Sequence, residues 1–262
     1  MMTPTRSGSH GQLFAELLRR EISNRYVGSV FGGVWAVMQP LFQLAIYSFV
    51  FRVIFAVRFP ELEQHSFTTF VACALWPWMA FQEGLQRGTH AIAGNASLIK
   101  KVAFRRELLV LAAVCAIFLV HLAGFAVVLA GLLAIGEPIH LAALPVVLLG
   151  WAVMFVFSCG LAFFTASLQV FLKDVEHVLA PVLMVMFYAT PVLYPLSRVP
   201  APYDSLMALN PAAHVLEDIR AALMRGEWAV GELAVLFALA LCVAAGCKLI
   251  FNRLAPYFED FA

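Results

Sequence analysis

Charged side chains are scarce in this chain. Asp, Glu, Lys and Arg make up 13% of it, against about 25% in an average soluble domain. Acids and bases nearly cancel, leaving a net charge of +1, so the balance gives no sign of nucleic-acid binding. Catalytic signatures are missing as well. There is no G-x-x-x-x-G-K-[ST] phosphate loop, which excludes ATP hydrolysis by that route. Nor is there an H-E-x-x-H, a paired-cysteine metal motif, a G-x-S-x-G elbow or a D-x-D pair. The five cysteines all lie in apolar runs, odd in number and without ligand spacing. That argues against a disulfide framework or metal site and for small packing residues. The first 33 residues lack the apolar core and cleavage site of a signal peptide, so the first span is expected to direct insertion.

What fills the chain instead is hydrophobic residues, 63% of the total. One globular core cannot bury that excess, so the composition implies an all-α integral membrane protein. About 20 residues of helix cross the hydrocarbon layer. On that measure, one transmembrane domain over 1–262 holds six spans, at 34–57, 66–88, 107–135, 140–170, 178–194 and 230–251. Their interiors supply almost no carboxylates. His121, alone in the third span, is expected to be packed and hydrogen-bonded.

The intervening segments carry the organisation. Within 1–30, Leu13, Phe14, Leu17, Leu18 and Ile22 fall on one helical face and Glu16, Arg19, Arg20, Ser23 and Asn24 on the other. This pattern predicts an amphipathic interfacial helix, with an ordinary juxtamembrane extension as the alternative. Between spans two and three, Asn95 to Val102 leads into Arg105 and Arg106. Leu98, Ile99 and Val102 would face lipid or protein, with Lys100 and Lys101 at headgroup level. The segment reads as a docking helix for a cytoplasmic partner, or as a topology signal alone. With an even span count and the amino terminus inside, twelve of the seventeen basic residues are cytoplasmic. Both termini are therefore expected in the cytoplasm.

Past the fifth span, residues 195–228 are too polar to span and too apolar for a free loop. In His214 to Met224, Val215, Ile219, Ala222 and Leu223 share one face, while Glu217, Asp218 and Arg220 take another. Two re-entrant extracytoplasmic half-helices, broken around Asn210 and Pro211, are expected; a surface-lying linker is the alternative. The five tryptophans are expected near interfaces or span ends. Tyr188, Tyr194 and Tyr203 are candidates for stacking on sugars, or for packing.

The wording of three segments resembles one family. "RREISNRYVGSVFGGVWAVMQPLF" places Arg25, Tyr26, Gly32, Trp35 and Pro40 in an interfacial-helix entry. "NASLIKKVAFRRELL" is similar to a coupling region. "FLKDVEHVLAPVLMVMFYATPVLYPLSRVP", followed by "LNPAAHVLEDIRAALM", is the most specific match. Together they resemble type-2 ABC transporter permeases that export polysaccharides. The resemblance implies a subunit that pairs with a second copy of itself and with two separate ATP-binding subunits. Those subunits, not this chain, would bind ATP and Mg. The substrate would be a lipid-linked polysaccharide crossing the bacterial cytoplasmic membrane, O-antigen first, with capsule or teichoic acid as alternatives. A gradient-driven carrier and a membrane enzyme acting on lipid-linked sugars are the readings from other classes.

The same resemblance implies roles for single residues. Glu16, Arg20, Arg25, Asn95, Leu98, Lys100, Lys101 and Val102 would meet the ATPase. Arg25, Arg105 and Arg106 would meet a lipid diphosphate at the cytoplasmic mouth. Trp35, Tyr47, Tyr188, Tyr194, Pro195, Tyr203, Asn210 and Pro211 would line or gate the glycan path.

Overall fold

The computed structural model of the chain describes residues 10–25, 32–56, 65–102 and 104–261. Among them every regular element is helical. Tyr26 and the end of the first expected span at Val57 lie outside the described residues.

The first helix, α1 (His10–Asn24), is amphipathic as its pattern requires. Leu17 is buried and Leu13, Phe14 and Leu18 pack on the core, while Glu16 and Arg19 stay exposed. It lies against α5 (Glu107–Ala134). Next, α2 (Trp35–Phe49) continues as a π-helical turn, Val50–Ile54, and presents Phe42, Ile46, Phe49 and Val53 outward.

α3 (Phe67–His90) is the axis of the bundle. Ser66 caps it, its hydroxyl accepting from the Thr69 amide at 3.2 Å. This satisfies one of the donors that a helix start leaves open. Its 24 residues reach about 36 Å, and α2, α5, α6 (Leu144–Phe171) and α9 (Pro211–Arg220) all pack on it. Trp76 and Trp78 are completely buried here and Trp151 nearly so, while Trp35 and Trp228 are exposed. Three of the five tryptophans are thus core residues of the bundle. Where helices surround a helix, indole area is taken up as core.

α6 and α10 (Val230–Leu254) form the closest pair, and Gly160 permits it. A Cβ there would stand 2.7 Å from the Ala244 Cα. A side chain would push the helices apart.

Among the described residues, four helical stretches are long and apolar enough to cross a membrane: Gly32–Ile54, Glu107–Ala134, Leu141–Phe171 and Val230–Tyr257. α3 has the length but carries Glu83 and Arg87 in its second half. α7 (Val175–Tyr188) is apolar but short. The expected fifth span, 178–194, therefore needs correction: the helix starts at Val175 and stops at Tyr188, six residues early. Pro191 has no amide hydrogen to continue the ladder. The chain turns instead, the Val192 amide bonding to the Thr190 carbonyl at 2.7 Å.

The half-helices expected in 195–228 are present as α8 (Tyr203–Ala208) and α9, which a π-helical turn, Ala221–Arg225, extends. They break where expected. Asn210 caps α9 by accepting from the Ala212 amide at 3.1 Å, and Pro211 takes the first helical position. α9 inserts between α3 and α6. A Cβ on Gly150 of α6 would lie 2.8 Å from Ile219.

A short α4 (Ala96–Lys101) precedes α5, and α11 (Phe258–Phe261) ends the described chain. α1, α4 and the carboxyl ends of α3 and α10 gather at one end of the bundle, the α4 end. The start of α3 and the end of α7 meet α9 at the other, the α9 end.

Candidate functional site

At the α4 end, polar side chains tie α1 to its neighbours. Arg20 donates to the Asn95 side chain at 2.6 Å, and Asn95 donates to the Ala91 carbonyl at 2.9 Å. Arg87 of α3 donates twice to Glu21, at 2.9 and 2.6 Å. Arg20 and Asn95, both expected to meet an ATPase, thus meet each other and link α1 to the segment before α4. Glu16, Lys100, Lys101 and Val102 remain exposed, and Leu98 is half-buried.

Behind this layer lies a group that spacing rules overlooked. Glu83 sits in α3 with one carboxylate oxygen 2.5 Å from Arg25 and the other 2.7 Å from His121 Nε2. His121 is only 2% exposed. The expectation of a hydrogen-bonded His121 holds. The expectation of span interiors nearly free of carboxylates needs this exception. A paired ionisable group inside a membrane bundle costs free energy unless its partners are in place, which makes it a candidate functional group. Its signal was available in the sequence: an acid on α3 and a histidine alone in the next apolar helix.

Arg25, Arg87 and Glu83 line one cavity of about 290 Å³. Arg105 and Arg106 line another, of about 390 Å³, together with Asn252 and Glu259. Arg105 is paired with Glu107 and Arg106 with Glu259. The three arginines expected at one mouth therefore stand in two places.

The turn into α7 is a knot of its own. Gln169 and Glu176 exchange hydrogen bonds, the Glu176 amide to the Gln169 oxygen at 3.0 Å and the Gln169 amide to the carboxylate at 3.1 Å. His90 of α3 stands 3.2 Å from the same carboxylate.

Between these groups and the α9 end runs a groove of about 440 Å³. Gln39, Gln43 and Tyr47 line it from α2, at intervals of four residues that put them on one helical face. Trp78, Gln82, Glu83 and Gln86 line it from α3, and Phe187 and Tyr188 from α7. Gln43 donates to the Tyr47 hydroxyl at 3.0 Å and the Trp78 indole to Gln82 at 3.0 Å. Tyr47 stacks on Phe187 with ring centroids 5.9 Å apart. The wall is largely amide and aromatic, and Glu83 is the one carboxylate among the described residues that line it. Such a wall offers hydrogen bonds and flat apolar faces without a fixed ionic site. The glutamines stood in view as a four-residue repeat inside an apolar run.

Of the other residues expected on a path, Tyr47 and Tyr188 line the groove; Trp35 is exposed near the start of α2 and does not line it. The Tyr194 hydroxyl donates to the Tyr188 carbonyl at 2.6 Å. Tyr203 is exposed on α8, and Pro195 opens the helical turn Leu196–Arg198. Asn210, besides capping α9, donates to the Thr190 hydroxyl at 2.9 Å.

Near α9, burial and the Glu232 carboxylate push the Asp218 carboxyl up to about 7. His214 lies above its ordinary range, chiefly through its bond to the Ala208 carbonyl and also through Glu232 at 2.8 Å. In the turn before α6, burial pushes the Glu137 carboxyl up, but bonds from Ser66 and Thr69, with His65 nearby, bring it below the ordinary value. Arg220, expected on a polar face, is buried; only 1% of it is exposed.

Comparison with known proteins adds the following. The family model described as ABC-2 type transporter matches residues 12–224. The chain is 27% identical over 251 residues to an O-antigen export system permease protein of Klebsiella pneumoniae, covering 95% of this chain and 94% of the relative. It is 29% identical over 217 residues to the protein of the same name from Myxococcus xanthus, covering 80% and 79%. A polysialic acid transport protein of Escherichia coli is 25% identical over 210 residues, covering 80% of each chain.

Proposed function

The chain belongs to the ABC-2 type transporter family, and on that premise we propose that it is the permease subunit of an exporter of lipid-linked polysaccharide, O-antigen first. The observation that carries the proposal is the groove between α2, α3 and α7. A polysaccharide presents many hydroxyls and flat carbon faces along its length, and an O-antigen need carry little charge. Glutamine amides exchange hydrogen bonds with hydroxyls, and Trp78, Tyr47 and Tyr188 offer faces for the sugar rings. The near absence of fixed charge suits a sliding polymer, which must be held weakly at many places rather than tightly at one.

ATP hydrolysis belongs to separate subunits. In this reading two ATPase subunits dock on the exposed side chains of α1 and α4, among them Glu16, Lys100, Lys101 and Val102. Their closure shifts α1, and the Arg20–Asn95, Arg87–Glu21 and Arg25–Glu83 links carry the shift to α4 and α3. Arg25 and Arg87, in one cavity, meet the lipid diphosphate by exchanging carboxylate for phosphate. A second copy of the chain closes the open side of the groove. In this reading the chain makes six spans, with both termini in the cytoplasm of a bacterium and the α9 end facing outward. Export of a capsule polymer is the second reading, favoured by the likeness to the polysialic acid transport protein.

The test is complementation. In cells lacking their own O-antigen permease, this chain and its ATPase should restore surface polymer, and Gln43→Leu with Gln82→Leu should reduce it at least ten-fold with the complex intact. Unchanged surface polymer in the double variant would remove the groove from the path.

A further inference from the structure

Arg220 is the most deeply buried charged side chain among the described residues, at the junction of α9 and its π-helical extension. The helical pattern of α9 puts it on the polar side with Glu217 and Asp218, yet the guanidinium points into protein. Its Nε donates to the Phe70 carbonyl at 3.1 Å. Its two terminal nitrogens donate to the Pro191 and Val192 carbonyls. The guanidinium carbon lies 3.7 Å from the centroid of the Phe70 ring, and Glu217 supplies a countercharge at 3.6 Å.

Two of these acceptors, the Pro191 and Val192 carbonyls, have a common origin. α7 stops at Tyr188, and the turn that follows leaves carbonyls with no amide to meet them in the helical pattern. Inside a membrane protein such groups must find partners within the protein, because water is not at hand. The planar fork of an arginine can serve several carbonyls at once, which a lysine ammonium on a single flexible stem cannot do with the same geometry.

Around the fork the other fastenings join fewer pieces of chain. Ile219 fills the space left by Gly150, Leu223 accepts from the His140 amide at 2.8 Å, and Asn210 holds Thr190. Of these, the fork alone joins three separate pieces of chain: the first turn of α3, the turn after α7, and α9.

We propose that Arg220 is the positioning residue of the exit, holding α9 in register on the turn at Pro191 and Val192 so that the gate segment and the outer end of α7 move as one block. The inference rests on the permease reading for its transport consequence, but not for its local one. With the fork intact, α9 cannot shift without carrying Val192 and Phe70 along. Without it, two turn carbonyls lose their donor, α9 slips relative to the end of the groove, and polymer export separates from ATP hydrolysis.

The experiment uses the complex of this chain with its ATPase in proteoliposomes, comparing Arg220→Lys and Arg220→Met with the parent. Two readouts are taken. The first is polymer exported per ATP hydrolysed. It should fall at least ten-fold in R220M and less in R220K, with the complex still assembled. The second is thiol labelling of Val192→Cys in a background freed of native cysteines. Val192 is fully buried, so labelling should be slow with Arg220 present and at least ten-fold faster in R220M. Fast labelling with a parent that exports no polymer would uphold the positioning role and refute the permease reading. Slow labelling in R220M, or export per ATP unchanged, would overturn the positioning role. Failure of both variants to assemble would equally count against it, assigning Arg220 to folding alone.

Discussion

At the α4 end, Arg20, Arg25 and Arg87 meet an amide or carboxylates at partly exposed sites, whereas at the α9 end Arg220 is buried against three backbone carbonyls. The difference is one of exchangeability. A partly hydrated ion pair is worth little on balance and can trade one anion for another. A buried guanidinium that loses its partners leaves a desolvated charge and orphaned carbonyls. The chemistry of one end therefore suits exchange of partners, and that of the other suits keeping its internal geometry.

Substitutions at the two ends should separate these behaviours. The largest effect is expected from Leu98→Asp with Lys101→Asp. The pair places two acids on α4 and should abolish ATP-coupled export while membrane insertion persists, as measured by surface polymer beside a membrane-fraction blot. Normal export would show that α4 does not couple. Glu83→Gln comes next. It removes a charge-assisted bond to Arg25 and weakens the one to His121. A pair this exposed contributes about 1 kcal/mol or less, so export should fall by less than about ten-fold, read as polymer per ATP. A silent Glu83→Gln would mean that the α4 end transmits nothing through this carboxylate.

Gly160→Ala serves as a control that belongs to neither end. Its new Cβ meets the Ala244 backbone at 2.7 Å. Overpacking of this kind costs about 1–3 kcal/mol, so the thermal midpoint should drop by several degrees and export only in proportion. The smallest expected effect is on pH. Asp218 titrates at about 7 and His214 above its ordinary value, both raised on folding. A raised group contributes stability that is complete below its unfolded pKa and is lost as pH rises through the folded one. Hydrogen exchange in α9 should accordingly be slower at about pH 6 than at about pH 8. A rate difference of the opposite sign, once corrected for intrinsic exchange, would contradict the assignment.

The contrast also explains what was legible in the sequence. The amphipathic helix α1, the short α4 and the break at Asn210 and Pro211 are local features, set by spacing, charge and caps, and each stands where its pattern put it. Arg220 is the opposite case. Its neighbours Glu217 and Asp218 made a polar face, and its acceptors lie 150, 29 and 28 residues away. No periodicity records such partners. The burial of Trp76 and Trp78 is a related case, since a tryptophan on a lipid-facing surface and one in a bundle core look alike in sequence. The early stop of α7 was foreshadowed by Pro191, but the turn that replaces the helix depends on donors from α9.

The central claim is that polymer passes along the wall formed by α2, α3 and α7. The most direct test places a photo-crosslinking residue at Gln43 or Gln82 and, as a control, at exposed Leu249 of α10. Export is then stalled by withdrawing ATP before illumination. The account predicts polymer-bearing adducts at positions 43 and 82 and none at 249. Adducts at 249 with none in the groove would contradict it.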